Sequence, residues 1–273
     1  MTSTVNKQKP FSLKKQPGFG LIAIFCFVML YAPIITLVIY SFNAGKYISI
    51  WEGFSLQWYV SAWNNEAVQD AALRSLVLAL QASVYSTILA TMAALGTTRT
   101  RSFPGLTAIY VMINQPLMVP EIVTAVALLT LFAIIKTATG IQGLIYLVLA
   151  HTAFCIPFAY LPIRARLEGM DLILETAAAD LYATPWKTFW RITLPLLWPG
   201  IIAGAMLAFV ISLDDVVITE FVKSSGQETL PTYMLGQLRR VISPEINAIS
   251  TVLVSLSITV VGLFFAIDKK FGK

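Results

Sequence analysis

The sequence predicts an all-α membrane protein with six transmembrane helices, and two observations carry this prediction. Of the 273 residues, 57% are hydrophobic and only 12% are charged, whereas soluble domains carry about 25% charged residues. The apolar residues also fall into blocks of about 20, the length that crosses a hydrocarbon core of about 30 Å. A soluble fold would lack the polar residues needed to cover its surface.

Six apolar blocks define the expected spans. They cover residues 19–42, 72–95, 106–135, 144–163, 196–213 and 246–267. The first block is longer than the apolar core of about 7–15 residues in a signal peptide, so it predicts an uncleaved helix. We therefore expect a polar segment at 1–18, a membrane domain at 19–267 and a short tail at 268–273. Pro116 and Pro120 interrupt the third block.

The basic residues predict the orientation of the spans, because cytoplasmic loops collect Lys and Arg. With the N-terminus inside, 13 of the 19 basic residues fall on the inner side. These are Lys7, Lys9, Lys14, Lys15, Arg99, Arg101, Arg164, Arg166, Lys187, Arg191, Lys269, Lys270 and Lys273. Both termini are then cytoplasmic, and the net charge of +5 follows from topology. We expect no nucleic-acid partner.

No motif in the sequence predicts catalysis by this chain. There is no Walker A sequence, no GxGxxG and no HExxH, the patterns that hold nucleotides or catalytic zinc. Cys26 and Cys155 lie in apolar blocks without metal-ligand spacing, and they do not indicate a disulfide framework. We expect a non-catalytic chain that holds no cofactor and no metal of its own.

The outer loop at 43–70 is rich in aromatic residues. Ser55 is a good N-cap residue, and the apolar side chains that follow it recur with helical spacing at Leu56, Tyr59, Val60 and Trp63. This pattern predicts a short amphipathic helix at the membrane surface. Its aromatic residues are open to two interpretations, an interfacial anchor or a ligand site.

The inner loop at 164–195 is long for a connection between two spans and too apolar for a disordered one. Ala177 to Ala179 favour a helix, with Glu175 and Asp180 expected near its positive N-terminal end. Pro185 is expected to break this helix. A second amphipathic stretch follows with Trp186, Phe189 and Trp190. Such a loop suggests docking to another protein.

The stretch 175–195 resembles the coupling loop of ABC-importer permeases, called the EAA motif. Its last residues match the family's I-x-L-P, and this register places Ala177 and Ala178 on the two alanines. Thr176 stands where the family has Glu, with Glu175 one residue early, and Tyr182 stands where it has Gly, which allows a positive φ that strains other residues. The coupling residues that the resemblance implies are Glu175, Thr176, Ala177, Ala178, Asp180, Tyr182, Ile192, Leu194 and Pro195.

Further stretches resemble the second permease subunit of spermidine/putrescine importers. They start at Leu30 (LYAPI), Tyr40 (YSFN), Leu117 (LMVPEIV), His151 (HTAFCIP), Ser212 (SLDDVV) and Ser243 (SPEINA). The resemblance implies the type I ABC importer permease (MetI-like) fold in a bacterial inner membrane. It also implies a heterodimer with a homologous permease subunit, two ATPase subunits that hold ATP and Mg, a periplasmic polyamine-binding protein, and surrounding lipid.

Three acidic residues are candidates for the substrate path. Glu121 lies near the middle of the third block, where a carboxylate costs about 2.5–3.5 kcal/mol on the insertion scale and needs water or a partner. Asp214 and Asp215 close the fifth helix about 30 Å beyond Pro195, which predicts the outer mouth. Tyr31 is an aromatic candidate by resemblance. Each candidate has an alternative interpretation. Glu121 could be a structural residue, Asp214 and Asp215 could form a solvated helix end, and Tyr31 could serve in packing.

Several functions remain open on the sequence alone. The leading hypothesis is the pore subunit of an ATP-driven polyamine importer that works by alternating access. The alternatives are an ABC permease for another small cationic solute or amino acid, and a proton-coupled secondary transporter that uses Glu121. A membrane enzyme is disfavoured because no nucleophile–base pair is visible. For His151 we weigh a hydrogen-bonded helix residue against a proton relay.

Overall fold

The computed structural model describes residues 19–47, 50–100, 102–239 and 243–271. The predicted segment 1–18, Arg101, Arg240 and Lys273 lie outside the described residues. Within them the chain forms twelve α-helices and one π-helical turn, listed here in order: α1 (Phe19–Tyr40), α2 (Gln57–Asn64), α3 (Glu66–Thr98), α4 (Leu106–Met118), α5 (Glu121–Thr139), α6 (Ile145–Glu168), α7 (Ile173–Asp180), α8 (Pro185–Thr188), the π turn (Phe189–Thr193), α9 (Leu194–Asp214), α10 (Val217–Val222), α11 (Leu230–Leu238) and α12 (Glu245–Phe271).

Six helical stretches of the described chain are long and apolar enough to cross a membrane, with mean hydropathy between 1.6 and 2.7. They are α1, α3, α5, α6, the continuous stretch from α8 to α9, and α12. The prediction of an all-α membrane protein with six spans is confirmed. The last helix runs to Phe271 and so includes most of the predicted tail.

The third apolar block forms two helices instead of one. α4 ends at Met118, the backbone is extended at Val119 (φ −96°, ψ 138°), and α5 begins at Glu121. Pro120 explains the break, because it offers no N–H to a helix and pushes the residue before it into the extended region. Glu121 is therefore the first residue of a helix and not a mid-helix residue.

The core of the bundle forms where α3, α6 and α9 pack together. Glycines allow α6 and α9 to approach closely, as small residues do between membrane helices. A Cβ at Gly204 would lie 2.7 Å from the carbonyl oxygen of Ala159, and one at Gly200 would lie 2.7 Å from Cβ of Arg166. Atoms of α6 therefore exclude larger residues at these two positions of α9.

The loop after α1 is built around Asn43, which is buried. Its Oδ1 accepts hydrogen bonds from the backbone N–H groups of Gly45 (3.2 Å) and Glu52 (2.8 Å), and its Nδ2 donates to the Ile50 carbonyl (2.6 Å). The amphipathic helix predicted after Ser55 is present as α2, one residue later than expected, with Leu56 at the N-cap position. Ser55 Oγ accepts from the Gln57 N–H at 3.1 Å.

Candidate functional site

The three predicted acidic residues lie together. Glu121, Asp214 and Asp215 line one open pocket of about 430 Å³, whose wall also includes Phe154 and Phe158 of α6. The sequence predicted Asp214 and Asp215 at the outer mouth, and the structure places both beside Glu121 at the break between α9 and α10. The path of the chain after α9 explains this arrangement.

The chain remains in the bundle after Asp214. Asp215 adopts an extended conformation (ψ 133°), and α10 then continues alongside α5. The two segments are joined near their far ends, where Lys136 Nζ donates to Ser224 Oγ at 3.1 Å. Lys136 lies roughly 22 Å along α5 from Glu121 at about 1.5 Å per residue. The acidic pocket is therefore set well back from that end of the bundle.

Asp215 is a structural carboxylate that caps α10. Its Oδ2 accepts from the backbone N–H (2.9 Å) and the hydroxyl (2.8 Å) of Thr219, and its Oδ1 accepts from the Ile218 N–H (3.3 Å). The residue is buried, with only 6% of its surface exposed. A buried carboxylate is stable only with such donors, so protein donors already occupy most of the hydrogen-bond acceptor positions of Asp215.

His151 extends this network to α6. Because the Thr219 hydroxyl donates its hydrogen to Asp215, it accepts from Nε2 of His151 at 2.9 Å, and Ser212 Oγ then donates to Nδ1 at 2.8 Å. This assignment satisfies a neutral imidazole at both nitrogens. The geometry favours the hydrogen-bonded interpretation of His151, which joins α6 to α9 and α10.

Asp214 is in a different environment from its neighbour, since it is exposed. It lines the acidic pocket and also a second, largely apolar pocket of about 470 Å³. Val216 lines both pockets too. Apolar residues of α11 and α12 form the second pocket: Pro231, Met234, Leu235, Leu238, Leu253, Val254 and Ile258. Sequence reasoning missed this pocket, although the short apolar helix between Glu228 and Arg239 was a signal for it.

Tyr31 is not part of either pocket. It lies on α1, about half exposed, with its ring stacked on Phe27 at 6.2 Å between centroids. None of the residues in the apolar window of α1 is buried. Within this chain the structure does not bring Tyr31 to the three carboxylates.

The 164–195 loop turns at Tyr182 in a left-handed conformation. Tyr182 has φ +56°, the only positive φ outside glycine among the described residues. The Tyr182 N–H bonds the Ala179 carbonyl and the Ala183 N–H bonds the Ala178 carbonyl, both at 2.9 Å. This is the Schellman arrangement that ends a helix. The strain expected at Tyr182 is present, because this position normally takes glycine.

Two expectations for the same loop were wrong. Asp180 is the last residue of α7 and not near its N-terminal end, because the helix begins earlier than expected, at Ile173. Pro185 does not break a helix but begins the next one, with Thr184 as N-cap accepting from the Lys187 N–H. Proline is favoured at a first helical position, where its missing N–H is not needed.

The remaining motif residues divide into buried and exposed positions. Glu175 Oε2 lies 3.2 Å from Nε of Arg99, and its Oε1 accepts from Thr193 Oγ1 at 3.0 Å. Thr176 is exposed, and its hydroxyl bonds the Leu172 carbonyl within α7 at 3.0 Å. Ala178 is buried inside the loop, whereas Ala177 is exposed. Ile192, Leu194 and Pro195 form the junction of the π turn with α9.

The loop presents an apolar surface to its surroundings, which we name the apolar loop surface. Its members are exposed by between 48% and 96% of their surface: Leu172, Ile173, Leu174, Leu181, Tyr182, Trp186 and Trp190. Several large apolar residues exposed on one loop indicate an interaction site. Ala177 is exposed on α7 beside these residues and can contribute to this surface, whereas Ala178 is buried and cannot.

The described chain thus combines six candidate membrane spans with an acidic pocket and an apolar loop surface between two of the spans. The family described as "binding-protein-dependent transport system inner membrane component" matches residues 86–272. The chain belongs to this family.

Curated relatives and solved structures agree with this membership. The chain is 40% identical over 242 residues, 88% of this chain and 86% of the relative, to the putrescine transport system permease protein PotI of Escherichia coli (strain K12). It is 38% identical over 244 residues, 89% and 93% of the two chains, to the spermidine/putrescine transport system permease protein PotC of Haemophilus influenzae (strain ATCC 51907 / DSM 11121 / KW20 / Rd). A bacterial ABC transporter that imports alginate shares the fold, with a TM-score of 0.71, 15% identity, and coverage of 94% and 95%.

Proposed function

We propose that this protein is a pore-forming permease subunit of an ATP-driven importer of polyamines. Its relatives are named as putrescine and spermidine/putrescine permeases. The observation that carries the proposal is the junction at Asp214, where an acidic pocket opens beside an apolar one. A polyamine has the matching chemistry, because its ammonium groups alternate with short chains of methylene groups.

Each part of the ligand has a suitable contact in these pockets. Glu121 and Asp214 offer negative charge to an ammonium group, and the rings of Phe154 and Phe158 add cation–π attraction of about 0.5–2 kcal/mol. Methylene groups buried in the neighbouring pocket contribute about 0.8 kcal/mol each. Carboxylates grouped in one pocket repel each other, so a bound cation relieves a repulsion that the empty site has.

The apolar loop surface is the dock for the ATPase subunits in this proposal. Those subunits hold ATP and Mg, while this chain holds none. A homologous permease subunit completes the pore as a heterodimer, and a periplasmic binding protein delivers the polyamine to the opposite side. The apolar loop surface then lies in the cytoplasm with both termini, as the distribution of basic residues supports.

Uptake by the assembled complex in proteoliposomes tests the substrate. We expect unlabelled putrescine and spermidine to compete with labelled putrescine, and neutral amino acids to leave its uptake unchanged. Competition by amino acids without competition by diamines would contradict the proposal. Exclusion of both classes would assign the chain to another solute.

Cysteine labelling tests the orientation in cells, with Cys26 and Cys155 first replaced by Ser. We expect an impermeant maleimide added outside to label a cysteine at Asn64 or Ser225, which are exposed, and not one at Leu181. Labelling of Leu181→Cys from outside would contradict this orientation.

A further inference from the structure

One helix connects the apolar loop surface with the wall of the apolar pocket. α3 has 33 residues and is therefore about 50 Å long. Proline interrupts α6 and α9, whereas α3 contains none along its whole length. An uninterrupted helix that packs along two neighbours is a stiff element, since proline is a common cause of sharp kinks.

The end of α3 at Arg99 is tied to the 164–195 loop. Arg99 caps α3, and its Nε lies 3.2 Å and 3.3 Å from the two carboxylate oxygens of Glu175 on α7. Both side chains are about four-fifths buried, so this ion pair is less screened than a surface pair. The Glu175–Thr193 bond adds the start of α9 to the same junction.

The opposite part of α3 is tied to α11. Ser75 Oγ accepts from the Leu230 N–H at 2.7 Å, at the first residue of α11, and Arg74 donates to the Glu228 carbonyl at 2.8 Å. Asn65, the N-cap of α3, donates to the hydroxyl of Tyr233 on α11 at 3.3 Å. α11 carries Met234, Leu235 and Leu238, which line the apolar pocket beside Asp214.

We propose that α3 is a strut that transmits movement between the apolar loop surface and α11, with Arg99 and Ser75 as positioning residues at its two links. The proposal rests on the proposed function, because it takes a docked ATPase as the source of the movement. A displacement of α7 reaches α3 through the Glu175–Arg99 pair, and α3 carries it about 36 Å to Ser75 at about 1.5 Å per residue. There it shifts the wall of the substrate pocket. In this account Glu175 acts through Arg99 and not through the ATPase.

The test is the number of polyamine molecules imported per ATP hydrolysed by the purified complex with its partner permease, ATPase subunits and binding protein. We expect Arg99→Gln and Ser75→Ala to lower this ratio roughly two- to thirtyfold while the ATPase subunits still co-purify. Arg99→Lys, which keeps the charge, should retain part of it. Because both residues belong to one linkage, the ratio of imported polyamine to hydrolysed ATP in the double variant should be no lower than in the single variant with the lower ratio.

Glu168→Gln is the matched control, since it removes the exposed Arg164–Glu168 ion pair from the same end of the bundle. Its ratio should equal that of the wild type. A wild-type ratio in well-folded Arg99→Gln and Ser75→Ala would overturn the strut, as would effects that multiply in the double variant. If Arg99→Gln fails to fold, Ser75→Ala and Thr193→Val decide the question by the same ratio. If the proposed function itself is wrong, the result differs, because the wild-type chain would then bind no ATPase subunit or import no polyamine.

Discussion

The two aspartates at the break between α9 and α10 differ in exposure and hydrogen bonding, although they are neighbours in the sequence. Asp215 is buried and accepts three hydrogen bonds from Ile218 and Thr219. Asp214, its neighbour, is exposed at the junction of two pockets. Because the first turn of α10 binds only Asp215, this carboxylate stabilises the fold, whereas the carboxylate of Asp214 is available to a ligand.

Glu121 belongs with Asp214 in this comparison. It is half-buried at the first residue of α5 and faces the shared acidic pocket. A carboxylate whose acceptors are occupied by protein donors gains little from a cation, whereas one that faces the pocket gains a charge-assisted contact. Substitutions on the two sides should therefore affect different quantities: stability on the Asp215 side, and transport on the side of Glu121 and Asp214.

The largest expected effect on stability is that of Asp215→Asn. The amide keeps the shape but turns one acceptor oxygen into a donor that faces a donor of Ile218 or Thr219, so buried bonds to a charged group are lost. We expect a destabilisation of about 3 kcal/mol and less folded protein in the membrane. The measurement is thermal unfolding of the detergent-solubilised protein by fluorescence. An unchanged melting temperature would mean that the α10 cap is not a structural element.

Asp214→Asn should leave the melting temperature unchanged and weaken transport modestly. An exposed charge contributes about 0.2–1 kcal/mol, so we expect the half-saturating polyamine concentration to rise roughly two- to fivefold. The effect should shrink at high salt, because screening acts over about 8 Å at physiological ionic strength. Uptake measured at low and high ionic strength checks this. A destabilised Asp214→Asn protein with unchanged uptake would contradict the account, because Asp214 would then be a structural carboxylate like Asp215.

A further effect, on stability alone, is expected at Tyr182, far from the pocket. Glycine relieves the left-handed strain but adds flexibility to the unfolded chain. We therefore expect Tyr182→Gly to be more stable than Tyr182→Ala by about 0.5–1 kcal/mol. Alanine is the matched control because it removes the same aromatic ring and keeps the strain. Slower hydrogen exchange at residues 178–183 in the glycine variant would support this, and equal exchange would argue against strain.

The spans could be predicted from the sequence because apolar length is a local property. The resemblance indicated that Tyr182 stands where the family has a glycine that allows a positive φ, and the structure shows φ +56° at this residue. Pro120 was recognised as a weak point of the third block. It ends the helix fully, because the residue before it becomes extended.

The arrangement of the acidic pocket could not be predicted because it depends on contacts between distant residues. Whether the chain leaves the bundle at Asp215 is decided by the Asp215–Thr219 cap and by His151 on another helix. The ion pair between Arg99 and Glu175 joins residues in separate loops. Ala178 was expected at the ATPase contact, yet it is buried inside the loop, so Ala177 is the exposed one of the two motif alanines.

The measurement that tests the central claim most directly is uptake per folded protein for Glu121→Gln, together with its melting temperature. Glutamine keeps the shape and removes the charge. Losing one charged contact with the passing cation should weaken the interaction roughly ten- to hundredfold, while relief of repulsion in the pocket leaves the melting temperature equal or higher. Uptake at the wild-type level with a raised melting temperature would contradict the account, because Glu121 would then be a buried charge without a role in transport.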